Sequence, residues 1–173
     1  MRLIKLLVYS LVFFFVLIFL FSLMFPSDVR ISKTINMKVD QQVLLHHIKD
    51  LKQWKTWNPA WQQMDEKDIS ILDSANGIVS AMRVNNTSIK ITGITKDEIL
   101  MQYSGGKKNN VYSGIHTIQY PQSDSLIVQW YMDFKLKWYP WEKFSSLLYE
   151  KMYGEQMKMG LENLKQLYEN KTP

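Results

Sequence analysis

The chain has 173 residues, 46% of them hydrophobic and 13% aromatic, with 21 Lys and Arg against 16 Asp and Glu and no cysteine. The missing cysteines exclude disulfide and thiol chemistry without choosing a compartment, since a reduced cytosol and an extracytoplasmic bacterial setting tolerate their absence equally. Beyond residue 25 the charges are 19 basic against 16 acidic, and Lys107-Lys108 and the lysines near the C-terminus form no continuous stripe, so no nucleic-acid partner is expected.

Leu6 to Phe25 is a twenty-residue run without charge, in which sixteen positions are Leu, Ile, Val or Phe. Twenty such residues suffice to cross a bilayer, and on an insertion scale they favour the membrane by about 5–10 kcal/mol. Arg2 and Lys5 precede the run, which puts the N-terminus in the cytoplasm by the positive-inside rule. A cleaved signal peptide is the competing reading. The run is longer than a usual signal core and leaves through Leu23-Met24-Phe25-Pro26, with no small-x-small pair for a peptidase. The expected organisation is therefore a stub at 1–5, a transmembrane anchor at 6–25, and one domain at 26–173 on the outer side of a bacterial inner membrane. The 148 residues after the anchor are the size of a single ordinary domain.

Val29, Ile31, Ile35, Met37 and Val39 alternate with polar residues and predict a first strand. Asp40 suits a helix start, and Val43, Leu44, His47 and Ile48 recur at helical spacing before Asn58-Pro59 ends the second of two short helices. That stretch closes on Trp54-Lys55-Thr56-Trp57-Asn58-Pro59-Ala60-Trp61, which holds three of the six tryptophans in eight residues. Clustered indoles in a small domain line or roof an apolar volume. Strands are expected at about 68–73, 77–84, 87–95, 98–104, 110–120 and 125–137, divided by Asn76-Gly77, Asn85-Asn86 and Gly105-Gly106. In the last of them Leu126, Val128, Trp130, Met132, Phe134 and Leu136 share one face. The looser alternation of the preceding strands fits a cavity-lining inner face or edge strands equally. Pro140 opens a long helix from Trp141 to about Glu169, with Phe144, Leu147, Leu148, Met152, Met157, Leu161, Leu164 and Tyr168 as its apolar stripe.

The Trp-x-x-Trp-Asn-Pro block after an N-terminal strand and short helix pair, the run of strands, and the helix ending Gly160-Leu161-Glu162-Asn163-Leu164-Lys165 together resemble the START-like, Bet v 1-like superfamily, also called SRPBCC or polyketide cyclase/dehydrase-like. The resemblance spans about residues 29–169. It implies an α+β helix-grip fold, in which a curved antiparallel sheet wraps a long C-terminal helix and encloses a cavity for a hydrophobic small molecule or lipid. On that basis Trp54, Trp57, Trp61, Met82, Tyr103, His116, Trp130, Met132, Phe134, Leu148 and Met152 are the candidate ligand-binding residues.

Chemical motifs are sparse. His46-His47 are adjacent on a helix, where neighbours point about 100° apart, so no metal is expected there. His116 is the one candidate base, although a lone strand histidine also serves structural roles. No nucleophile elbow, phosphate loop, zinc-protease or dinucleotide signature occurs, and no cofactor is expected. Asn85-Asn86-Thr87-Ser88 and Asn170-Lys171-Thr172 match the glycosylation pattern, which matters only in a eukaryotic secretory pathway. The expected function is a membrane-anchored carrier or binding protein for an apolar ligand. An aromatase/cyclase-type enzyme, with His116 paired to Tyr103 or Tyr112, and a module docking on a membrane protein are the alternatives. A sensor whose C-terminal helix moves about Gly154 would share the carrier's cavity.

Overall fold

The computed structural model describes residues 2–105, 108–120 and 123–169. Part of the Gly105-Gly106 turn, Lys107, and the sequence Asn170-Lys171-Thr172 lie outside the described residues.

The apolar run forms a helix, α1 (Arg2–Ser22), whose most apolar window has a mean hydropathy of 2.8 and none of it buried against the rest of the protein. It is the one described helix long and apolar enough to cross a membrane. The chain then enters β1 (Asp28–Met37) and the helix α2 (Gln41–Ile48), followed by a 3₁₀ turn at Leu51–Thr56 and a short helix, α3 (Pro59–Gln62). Three polar side chains mark the helical starts. Asp40 accepts from the backbone N–H of Gln42 and Val43, and Asn58 accepts from Ala60 with Pro59 in the first helical turn. Asp50 accepts from Lys52 and also from Val79 at 3.1 Å, which ties the helical segment to the sheet.

Six further strands follow: β2 (Ile69–Ala75), β3 (Ile78–Val84), β4 (Thr87–Ile94), β5 (Glu98–Gly105), β6 (Lys108–Gln119) and β7 (Leu126–Lys135). They form one antiparallel sheet in the order β1-β7-β6-β5-β4-β3-β2, so the first strand closes onto the last. Asn76 and Gly77 both adopt positive φ, 53° and 77°, as the two-residue hairpin between β2 and β3 requires. Gly105 has φ +139°, and a Cβ there would stand 1.9 Å from the Asn86 carbonyl oxygen, so two neighbouring turns interlock at a position that only glycine fits.

The C-terminal segment departs from the expected single regular helix. It runs as α4 (Pro140–Ser145), a 3₁₀ turn at Ser146–Leu148, a π turn at Glu150–Gly154, and α5 (Glu155–Glu169). The π turn changes the phase of the helix, and the predicted stripe divides there. Met157, Leu161 and Leu164 are buried against the sheet, whereas Leu147, Leu148 and Met152 face outward, 61%, 59% and 51% exposed. Tyr149 and Tyr153 turn inward instead, with ring centroids 4.7 and 4.8 Å from that of Phe134. Gly154 leaves room for the Lys33–Glu150 ion pair that pins the π turn to β1.

The core lies between the concave face of the sheet and the helices. Leu126, Val128, Trp130, Met132, Phe134 and Leu136 all point into it, as their alternation predicts. In α2 the buried positions are Leu44, Leu45 and Ile48, while Val43 is exposed. Spacing alone leaves the rotation of so short a helix open, and the Asp40 cap together with the sheet beneath sets it.

Candidate functional site

Four tryptophans converge under α5. Trp54 lies 5.0 Å from Trp57, 5.8 Å from Trp61 and 6.2 Å from Trp130, and Trp57 lies 5.4 Å from Trp130, centroid to centroid. All four are buried. Trp54 Nε1 donates to the Ile48 carbonyl at 2.8 Å, and Trp130 Nε1 donates to Ser113 Oγ at 3.0 Å. Asn163 on α5 donates to the Trp57 carbonyl at 3.0 Å, and Gly160 lets the helix backbone lie against Trp130, Pro59 and Trp57. The indoles therefore fill the space they were expected to line. Edge-to-face packing of rings that each bury a large area makes this cluster a solid plug.

The residual cavity lies beside the plug, at one end of the sheet. It has a volume of about 190 Å³, room for about six waters at about 30 Å³ each. Its apolar wall is Val111, Met132, Phe134 and the ring of Tyr153, and its polar rim is Thr87, Tyr103 and Ser104, with Gly105 completing the edge. Burial pushes the Tyr103 phenol well above its ordinary value, so at neutral pH it is an uncharged hydroxyl. The Ser104 hydroxyl bonds to Ser88 Oγ at 2.8 Å. Among the described residues, no carboxylate, imidazole or ammonium lines this cavity.

The strand register decides which end this is. Val29 pairs with Phe134, Val111 with Tyr103, and Thr87 with Gly105, so the cavity residues cluster where β1 begins and β7 finishes. The chain enters β1 from α1 at that same end. The approach is fixed: Leu136 N–H donates to the Ser27 carbonyl at 2.7 Å, and the buried Lys143 Nζ donates to the Phe25 carbonyl at 2.7 Å and to Ser27 Oγ at 3.2 Å.

Of the candidate residues, Tyr103, Met132 and Phe134 meet at the cavity. Trp54, Trp57, Trp61 and Trp130 form the plug, and Met82 belongs to the core. Leu148 and Met152 are on the outer surface, because the 3₁₀ turn at Ser146–Leu148 and the π turn at Glu150–Gly154 break the helical phase that would have put them on the stripe of α5. His116 pairs across the sheet with Glu98 and Gln129, between the buried Ile115 and Thr117, so its side chain is on the convex face. There its Nε2 stands 3.3 Å from Asp97 Oδ2, in an open groove of about 540 Å³ with Gln41, Lys96 and Thr117. The Thr95 hydroxyl, then His116, hold the Asp97 carboxyl below the usual range. Tyr112 is on the same convex face but four residues along β6, about 13 Å away, and Tyr103 is at the cavity on the other face, so the pair of the enzyme alternative is not brought together. His47 Nε2 lies 3.2 Å from Thr56 Oγ1 and its ring packs near Tyr168. Among the described residues no group of three or more His, Asp or Glu is placed to hold a metal ion.

Thr87, Ser104, Val111 and Tyr153 were not anticipated as cavity residues. Val111 has a signal in the strand alternation, since it shares a face with Ser113 and Ile115. Tyr153 has none, because its direction depends on the π turn.

Residues 28–169 match the family model described as polyketide cyclase/dehydrase and lipid transport. Among solved structures, a START superfamily protein from Mycobacterium smegmatis superposes with a TM-score of 0.57 at 18% identity, covering 83% of this chain and 99% of its own. Norcoclaurine synthase from Thalictrum flavum, in complex with dopamine and hydroxybenzaldehyde, superposes with a TM-score of 0.59 at 11% identity, covering 88% and 92%. A protein from Nitrosospira multiformis gives 0.60 at 12% identity, covering 81% and 96%. At these identities the likeness is one of fold. No curated protein matches the sequence.

Proposed function

Because the chain belongs to the polyketide cyclase/dehydrase and lipid transport family, we propose that it is a membrane-anchored binding protein that holds an apolar group of a lipid or small molecule in the cavity bounded by Val111, Met132, Phe134 and Tyr153. The observation that carries this reading is that the cavity lies at the end of the sheet where the apolar helix joins the domain. A ligand partitioned into the bilayer then reaches the site without crossing open water. The anchor reading draws support from the Phe19 ring of α1 lying 6.0 Å from that of Trp138, and from the Phe25 and Phe144 rings 5.4 Å apart just after α1, contacts that suit a retained segment better than a cleaved one. Positive-inside logic with Arg2 and Lys5 places the domain on the outer side of the membrane.

Binding is by burial. A ligand shedding about 200–300 Å² of apolar surface gains about 5–7 kcal/mol before ordering costs, and the hydroxyls of Tyr103 and Thr87 orient its polar end. At about 190 Å³ the cavity takes a ring or a short stretch of acyl chain; a longer ligand extends past the rim. The cyclase alternative draws no support from the cavity walls, where among the described residues phenols are the sole titratable side chains.

The test is native mass spectrometry of the full chain released from detergent, with a Val111→Trp variant beside it. Wild-type protein is expected to carry an apolar mass that denaturation releases, and the variant to lose it while retaining its melting behaviour. An apo wild type that also ignores a panel of fluorescent fatty acids and aromatic probes overturns the reading.

A further inference from the structure

We infer that the outward face of the α4–π-turn segment, Trp138, Trp141, Leu148 and Met152, is seated in the headgroup layer of the bilayer beside α1. The inference rests on the reading of α1 as a membrane span. Trp141 lies on α4, Leu148 on the 3₁₀ turn and Met152 on the π turn, and all three side chains face outward. They are 65%, 59% and 51% exposed, and Trp138 beside them is 64% exposed. Two exposed tryptophans beside exposed aliphatic side chains in one short segment mark a contact surface.

The occupant follows from what the patch adjoins. The Trp138 ring stands 6.0 Å from Phe19 of α1 and edge-on to it. Phe19 is three residues before the end of α1 at Ser22, or about 4.5 Å along the helix axis. If α1 spans the membrane, Trp138 is drawn to the depth that interfacial amphipathic helices occupy, about 5–10 Å below the headgroup boundary. Lys143 and Phe144 tie α4 to Phe25, three residues after the end of α1. Tyr139 and Trp141 stack at 5.0 Å with planes 10° apart, an aromatic group of the kind that gathers at bilayer interfaces. The exposed Lys137 and Lys151 flank the patch and suit anionic headgroups. Seated in this way, the segment holds the cavity end of the sheet against the membrane.

The experiment uses the full chain in vesicles of phosphatidylethanolamine and phosphatidylglycerol, with acyl-brominated lipid as quencher. The other four tryptophans are buried, so quenchable emission comes from Trp138 and Trp141. Wild type is expected to be quenched, and W138F/W141F to lose that fraction. Because the chain has no cysteine, Leu148→Cys also accepts a single nitroxide, whose relaxation is expected to respond more to oxygen than to a water-soluble nickel chelate. Carbonate washing separates the two readings. A chain that resists extraction but shows no variant-dependent quenching and a nickel-accessible nitroxide overturns the inference alone. A chain released by carbonate overturns the anchor reading, and the inference with it.

Discussion

Trp54 and Trp57 are three residues apart, both 0% exposed and in contact, yet replacing each by phenylalanine should have opposite polar consequences. Trp54 Nε1 donates to the Ile48 carbonyl at 2.8 Å. Trp57 Nε1 is, among the described residues, the buried side-chain donor without a partner. Both substitutions remove the same ring volume, a shared loss of about 1–2 kcal/mol at about 0.8 kcal/mol per buried carbon-sized group. Trp54→Phe adds the cost of an orphaned buried carbonyl, about 1–3 kcal/mol. Trp57→Phe instead removes an orphaned donor and recovers an amount of the same order. The expected difference is at least about 2 kcal/mol in favour of Trp57→Phe, or about 4–8 °C in midpoint for a chain of this size. Thermal unfolding of the full-length variants in one detergent, followed by near-ultraviolet circular dichroism, measures it. Midpoints within about 2 °C of each other would refute the reasoning and mean that the Trp57 N–H is bonded to a water or a ligand atom.

Two further predictions concern the convex face. A Cβ at Gly114 would stand 2.4 Å from the Tyr131 hydroxyl and 2.5 Å from its Cζ, so Gly114→Ala should destabilise by about 1–3 kcal/mol. Gly114→Ala combined with Tyr131→Ala should cost less than the sum of the single changes in urea midpoints; strict additivity would show that the ring is not the obstacle. Tyr131 itself is pushed up to about 12, first by burial and then by its hydrogen bond to Glu98. A raised folded-state value favours the neutral phenol, so its contribution is whole below the ordinary value near 10 and is lost as pH rises from there to about 12. Wild type should therefore lose stability more steeply than Tyr131→Phe across that window, and parallel curves would contradict the assignment.

The periodicity of the chain determined its elements. Alternation in residues 126–136 reports a strand buried on one face, Asn76-Gly77 demands positive φ and hence a hairpin, and Asp40 and Pro140 start helices, all through interactions within a few residues. The order of those elements, with the Trp-Asn-Pro block and the final helix, was enough to name the helix-grip fold, and the uncharged run at 6–25 was enough to expect a helix fit to cross a membrane. Local patterns do not say what stands opposite an element. Whether four indoles line a void or fill it depends on the volume left between sheet and helix, which is a sum over distant residues. The direction of His116 follows from strand parity carried across β5 and β7, and the division of the C-terminal stripe follows from a π turn pinned by Lys33 on the first strand. The cavity and its place at the end of the domain that meets α1 exist only once β1 pairs with β7, a contact between residues about a hundred positions apart. Sequence settles what each segment can form because those energies are local; tertiary structure decides what the segments enclose because packing is not.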